Sequence, residues 1–151
     1  MEGLYYYPNG RLNNKIRNKI KGEKQQLNIC SLTKDPNNLL MWSHYADGHR
    51  GLVIGVKIND IKNPIEEIDY IDNLILIENY ENMIAQKILT KKLKAWEYEK
   101  EVRVFSTNNK SYIDVKIEEL IIGKKMDKTE SDLIFKLVKQ LNPEIKIKTQ
   151  K

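Results

Sequence analysis

The apolar positions of this chain change period several times, and each change marks an element. Leu4 to Tyr7 is a run of large side chains that predicts a short strand or arm, closed by the turn formers Pro8, Asn9 and Gly10. Leu12, Ile16 and Ile20 then recur every four residues, one narrow apolar stripe on a short basic helix ending near Gly22. Gln26 to Leu32 reads as a buried strand. Asp35 to Asn38 reads as a turn able to cap a short helix whose inner side carries Leu39, Leu40, Trp42 and Tyr45, and which stops near Asp47 and Gly48.

Gly51 to Lys57 is the most strand-like run, and its two glycines predict that something packs closely against the backbone there. Ile65 to Ile71 alternates acids with apolar residues, as an exposed or edge strand does. From Glu78 to Leu93 the period is helical, and from Trp96 to Phe105 it falls to two. Trp96, Tyr98, Lys100, Val102 and Val104 would then share one face, with Glu97, Glu99, Glu101, Arg103 and Phe105 on the other. Three glutamates and an arginine on one side of a strand repel one another unless they are solvated, paired with cations, or gathered around a ligand. Tyr112 to Lys116 and Glu119 to Ile122 predict strands, and Asp127 to Glu130 a capping box. A helix over Ser131 to Leu141 carries Leu133, Ile134, Leu137, Val138 and Leu141, Pro143 blocks it, and Ile145 and Ile147 lie on a last strand.

These elements predict an α+β fold, a mixed or mainly antiparallel sheet flanked by helices. A length of 151 residues suits one domain, with residues 1–26 as arm and basic helix and 27–149 as core. Apolar content of 40% favours a folded chain over a disordered one. No apolar run approaches the roughly 20 residues that span a bilayer, and MEGLYYYPNGR lacks the basic-then-apolar order of a signal peptide. The expected location is the cytoplasm, that of the host if the chain is phage-encoded. The single Cys30 cannot form an internal disulfide and reads as a small hydrophobe near Ile29 and Leu32.

The net charge of +5 is uneven: Arg11 to Lys24 holds six basic residues against the single acid Glu23. Lys15, Arg17 and Lys19 on this helix are candidates for contact with nucleic acid or an acidic protein surface. A solvated face is the stronger reading of them, because the stretch lacks the interleaved aromatics of a single-strand binder.

Candidate chemistry concentrates between Ile29 and Val56, which hold Trp42, both histidines and three of the seven glycines. Trp42, His44, Tyr45, His49 and Arg50 are candidate ligand-binding residues on a pocket wall, with Arg103 reaching the same ligand. Ser43 beside His44 does not make a nucleophile and base, since helix neighbours diverge by about 100 degrees. His44, Asp47 and His49 lack a recognised ligand spacing, so no metal is expected. His44 or Arg50 is expected to reach Glu99 or Glu101 by charge complementarity. Trp42 and Trp96 read as core anchors or ligand platforms, and Gly123-Lys124-Lys125 as a helix-capping loop or a weak phosphate cradle.

Leu40 to Gly51, then Trp96 to Arg103, then Glu119 to Gly123 resemble, in order, a bacterial and phage-borne family known as domain of unknown function 2971. The resemblance runs over roughly residues 27–149. That family's longer N-terminal portion has only MEGLYYYPNGR in its place here, which would fit a reduced, non-catalytic relative.

Ser31-x-Thr33 together with Glu99-x-Glu101 resembles the serine strand and Glu-x-Glu element of arginine-type ADP-ribosyltransferases. The resemblance implies NAD as ligand and an ADP-ribosyltransferase-like fold. Glu101 would hold the ribose, Glu99 activate the acceptor, and Ser31 fix the carboxylate. Arg11 is the nearest candidate for the phosphate-binding group. Surface ion pairing of Glu99, Glu101 and Arg103 is the plainer alternative.

Two functions follow. One is a conflict protein with an NAD-type pocket. The other is a phage-encoded inhibitor without catalysis, whose basic surface binds a protein or ribonucleoprotein defence complex of the host. The catalytic reading requires the Trp42 helix and the acid-rich segment to line one cavity.

Overall fold

The computed structural model describes residues 14–59, 65–73, 84–106 and 112–151. The arm and turn expected at residues 4–10, Arg11 and Leu12, and the first part of the helical run expected from Glu78 lie outside them. In chain order the elements are α1 (Asn14–Gln25), β1 (Asn28–Thr33), α2 (Leu39–Tyr45), β2 (Leu52–Ile58), β3 (Ile65–Glu67), β4 (Asp69–Ile71), α3 (Ile84–Leu89), β5 (Lys91–Leu93), β6 (Glu101–Ser106), β7 (Val115–Ile122), α4 (Lys128–Leu141) and β8 (Lys146–Thr149). The fold is α+β, with antiparallel and mixed sheets and helices, as the pattern predicts. The chain divides into two compact units, Met1–Lys34 with Lys62–Tyr112, and Asp35–Ile61 with Ile113–Lys151.

In the first unit β6 runs between β1 and β3, antiparallel to both. Arg103 stands opposite Ser31 on one side and Glu66 on the other. α1 continues three residues beyond Gly22, whose surroundings are open. Its Ile20 is buried, and so are Ala85, Ile88 and Leu89 of α3, the helix that α1 contacts. Glu23 Oε2 accepts the Ala85 N–H at 2.9 Å, which serves one of the amides a helix start leaves unpaired.

The strand expected over Ile65 to Ile71 is two, β3 on β6 and β4 on β5, and β1, expected to be buried, has exposed positions that include Ile29. The helical run was to extend to Leu93, but α3 ends at Leu89 and Lys91–Leu93 pairs in parallel with β4. The Asp69 N–H already binds the Thr90 carbonyl at 2.9 Å, so sheet pairing takes over where the helix stops. Nor do Trp96 to Phe105 form one strand. Lys94–Glu99 is a 3-10 helix, Lys100 turns the chain in the left-handed region at φ 43°, and β6 begins at Glu101. Residues three apart eclipse on a 3-10 helix, so Trp96 and Glu99, which the alternation puts on opposite faces, fall on the same side.

In the second unit β7 pairs antiparallel with β2 and in parallel with β8, and α4 is the connection that a parallel pair requires. Tyr112 is outside the strand; a continuous β7 replaces the two predicted strands, and opposite Gly55 and Val56 of β2 the register shifts past Glu118 of β7. Both glycines near β2 are crowded as expected: a Cβ on Gly51 would sit 3.0 Å from the Ala46 carbonyl and one on Gly55 3.1 Å from Glu119 Cβ. Asn38 caps α2, its Oδ1 accepting from Leu40 and Met41, and Asp127 caps α4 through Thr129 and Glu130. The inner side of α2 differs from the prediction. Trp42 and Ala46 are buried with Ile121, whereas Leu39, Leu40 and Tyr45 are exposed. A helix of seven residues presents barely one such face, and Trp42 fills it.

Candidate functional site

The acids of β6 are paired within the first unit. Glu101 and Arg103 point the same way because strand side chains alternate. Arg103 Nε donates to Glu101 Oε1 at 2.7 Å and Nη2 to Oε2 at 3.1 Å. The guanidinium's Nη1 donates to the Leu89 carbonyl, at the end of α3 where backbone carbonyls concentrate negative charge. Glu99 reaches the same place from the 3-10 helix, its backbone carbonyl accepting from Thr33 Oγ1 at 2.7 Å. Lys92 of β5 bridges the two acids, pairing with Glu99 Oε2 and lying 3.1 Å from Glu101 Oε2. Its Nζ is also 5.2 Å from the centre of the Trp96 ring, a cation–π contact.

This network is buried and balanced, two carboxylates against one ammonium and one guanidinium. Glu101 is 5% exposed and Arg103 2%, which excludes a surface ion-pair row. Burial pushes the Glu101 carboxyl up, but the hydrogen bonds from Arg103 and Ser31 and the nearby cations outweigh it and hold it below the ordinary glutamate value. Burial pushes the Lys92 ammonium down, and Glu99 and Glu101 outweigh it in the other direction. Tyr70 closes the group, its hydroxyl oxygen accepting the Glu101 N–H at 2.8 Å. Of the residues singled out from sequence, Ser31, Glu99, Glu101 and Arg103 thus come together. Lys92 and Tyr70 escaped sequence reading, because only strand pairing between β4 and β5 brings them to β6.

The tryptophan–histidine stretch belongs to the second unit. Trp42 Nε1 donates to the Pro36 carbonyl at 2.7 Å, and its ring stacks with that of His49 at 6.4 Å and 5°. His49 is buried, with Nε2 3.1 Å from Ser43 Oγ and Nδ1 beside the Gln150 amide. His44 meets Tyr45 edge to face at 6.3 Å on the exposed side of α2. Arg50 pairs within the second unit. Its Nε and Nη2 each donate to Asp47 at 3.0 Å, a local pair across the turn. That pair holds Asp47 below the ordinary aspartate value, chiefly through the hydrogen bond. The histidine and carboxylate clusters fall in different units. Lys15, Arg17 and Lys19 lie on exposed positions of α1. Gln150 and the Ser43–His49 spacing were missed, although a turn at Gly48 was the signal that the chain doubles back.

No helix among the described residues is long and apolar enough to cross a membrane, and no group of three or more His, Cys, Asp or Glu is gathered there as a metal site. No curated protein and no solved structure matches the chain. Residues 41–76, which hold the Trp42–His49 stretch and β2, match the model of the family described as Protein of unknown function (DUF2971), the family that the sequence motifs resemble.

Proposed function

We propose that the Glu99–Glu101 pair serves a ribose-bearing nucleotide of the NAD type, in glycosyl transfer during conflict between phage and host. The observation that carries this reading is Glu101, a buried carboxylate held ionised by Arg103 and bonded to the exposed Ser31. A fixed anion in a site of low dielectric stabilises the oxocarbenium-like charge that develops as nicotinamide departs. Glu101 holds the ribose hydroxyl, Ser31 orients Glu101, and Glu99, exchanging Lys92 for the acceptor, activates the attacking group. Trp96, 41% exposed beside Lys92, offers a flat surface for a sugar or base. The test is incubation with labelled NAD and candidate target proteins, comparing Glu101→Gln. Transfer that vanishes in the variant supports the assignment, and an inert folded wild type refutes it.

A second reading rests on α1, whose Lys15, Arg17 and Lys19 face solvent. Here the protein inhibits a nucleic-acid-binding complex by occupying it through this basic face. Binding that weakens with salt and is lost on charge reversal at the three positions supports this second reading.

A further inference from the structure

Ser43 and His44 diverge as neighbours on a helix, but Ser43 and His49 meet. Asp47, Gly48 and His49 all take positive φ, at 47°, 57° and 73°. That folds the chain back over α2 and lays the His49 ring against Trp42. For Asp47 and His49 this is a strained backbone, and strain of this kind collects at functional sites. His49 is held there by the Lys125 N–H on its carbonyl at 3.0 Å. Its Nε2 then lies 3.1 Å from Ser43 Oγ, and its Nδ1 lies 2.9 Å from Nε2 and 3.1 Å from Oε1 of Gln150. We propose that Ser43, His49 and Gln150 are a nucleophile, its general base and the group that orients the base, a site for hydrolysing esters or thioesters with an apolar acyl chain.

The three roles follow from exposure and hydrogen bonding. Ser43 is exposed and His49 buried, so an incoming carbonyl reaches the hydroxyl while the ring is shielded. Ser43 Oγ also donates to the Leu39 carbonyl at 3.0 Å, the usual back-bond of a helical serine. When Nδ1–H donates to Gln150 Oε1, the Nε2 lone pair competes with that carbonyl for the hydroxyl proton. In the other tautomer Gln150 Nε2 donates to Nδ1 and Nε2–H donates to Ser43. The Lys124 N–H, 3.3 Å from Gln150 Oε1, keeps the amide beside the ring in both. Glutamine orients the imidazole without stabilising its positive charge, so the site suits activated acyl groups. Leu39 and Leu40, four and three residues before Ser43, share its side of α2 and are exposed, which places apolar surface where an acyl chain would lie.

In the reaction Ser43 Oγ bonds to the acyl carbon as its proton passes to His49 Nε2. The ester or thioester bond then breaks, and the leaving alkoxide or thiolate takes that proton. Water attacks the acyl-serine, gives a proton to Nε2, and the acid leaves as Ser43 recovers its hydrogen.

The experiment exposes the full chain to an alkyl fluorophosphonate, whose phosphorus bonds to an active serine as fluoride leaves, and follows adduct formation by mass spectrometry. One adduct mapped to Ser43 is expected, absent in Ser43→Ala. Labelling should slow about tenfold or more in Gln150→Ala and quicken in Gln150→Glu, because a carboxylate supplies the charge that glutamine lacks. A folded wild type without an adduct on Ser43 overturns the proposal, and so does a labelling rate indifferent to both Gln150 variants. Circular dichroism identifies which variants are folded, and Ser43→Ala, at an exposed position, keeps the comparison usable if those at Gln150 are not.

Discussion

Arg103 holds Glu101, two residues back on the same face of β6, through two hydrogen bonds at 2.7 and 3.1 Å, and both side chains are buried. Burying both charges is costly, and their mutual attraction returns that cost only while both are present. Arg103→Leu leaves two buried carboxylates to share Lys92, and also strips the Leu89 carbonyl of its donor. We expect it to destabilise the first unit by about 3 to 5 kcal/mol, read from urea unfolding. The double variant Arg103→Leu with Glu101→Leu should lose less than the single one, since it abandons no charge.

The same network sets a dependence on pH. The Glu101 carboxyl lies below its ordinary value of 4.5 in the folded protein, so its contribution is full above that value and is lost as pH falls through the folded one. Lys92 is raised above 10.5, so its contribution is full below that value and is lost as pH rises through its higher folded value. The urea midpoint should therefore drop as pH falls below about 4.5, and drop less steeply in Glu101→Gln. Equal slopes in the two proteins would remove Glu101 as the cause.

What was legible in the chain was what neighbouring residues decide. The β2 and α4 patterns, the Asn38 and Asp127 caps and the crowding at Gly51 and Gly55 depend on local period and turn chemistry, and they match the structure. The segment from Trp96 to Phe105 misled because Lys100 takes a left-handed conformation that no residue type there announces. Lys92 could not be assigned from sequence, since its partners are brought to it by the pairing of β4 with β5. The link from His49 to Gln150 spans 101 positions and depends on β8 lying beside β7. Long-range register is a property of the assembled sheet, and periodicity carries no trace of it.

Two glycines separate steric from conformational need. A Cβ on Gly123 would fall 2.1 Å from the His49 carbonyl oxygen and 2.7 Å from that of Gly51, both backbone atoms with nowhere to move. At Gly48 nothing lies within 4 Å, and the only demand is the positive φ of 57°. Gly48→Ala should cost about 1 to 2 kcal/mol, the ordinary penalty of a left-handed alanine. Gly123→Ala should cost about 3 kcal/mol or more and loosen the His49 turn, visible as altered fluorescence of the stacked Trp42. Comparable midpoints for the two variants would mean that the turn tolerates displacement.

The helix α4 bears more apolar surface than its unit covers. Ile134 and Val138 are half-buried, while Leu133, Leu137 and Leu141 are 66%, 52% and 75% exposed. All five belong to the stripe that the sequence predicts, but a stripe spaced by three and four is wider than the part of a helix that a three-stranded sheet can cover. Stability gained by burial scales with area removed from water, so the two halves of the stripe should behave differently. Leu137→Gln and Leu141→Gln are each expected to change unfolding free energy by less than about 0.5 kcal/mol. Ile134→Ala, which removes packed atoms, should cost about 1 to 2 kcal/mol, below the range for a fully buried isoleucine. Urea melts of the three variants decide it: a large loss at Leu137 or Leu141 would mean that this side of α4 is covered in solution.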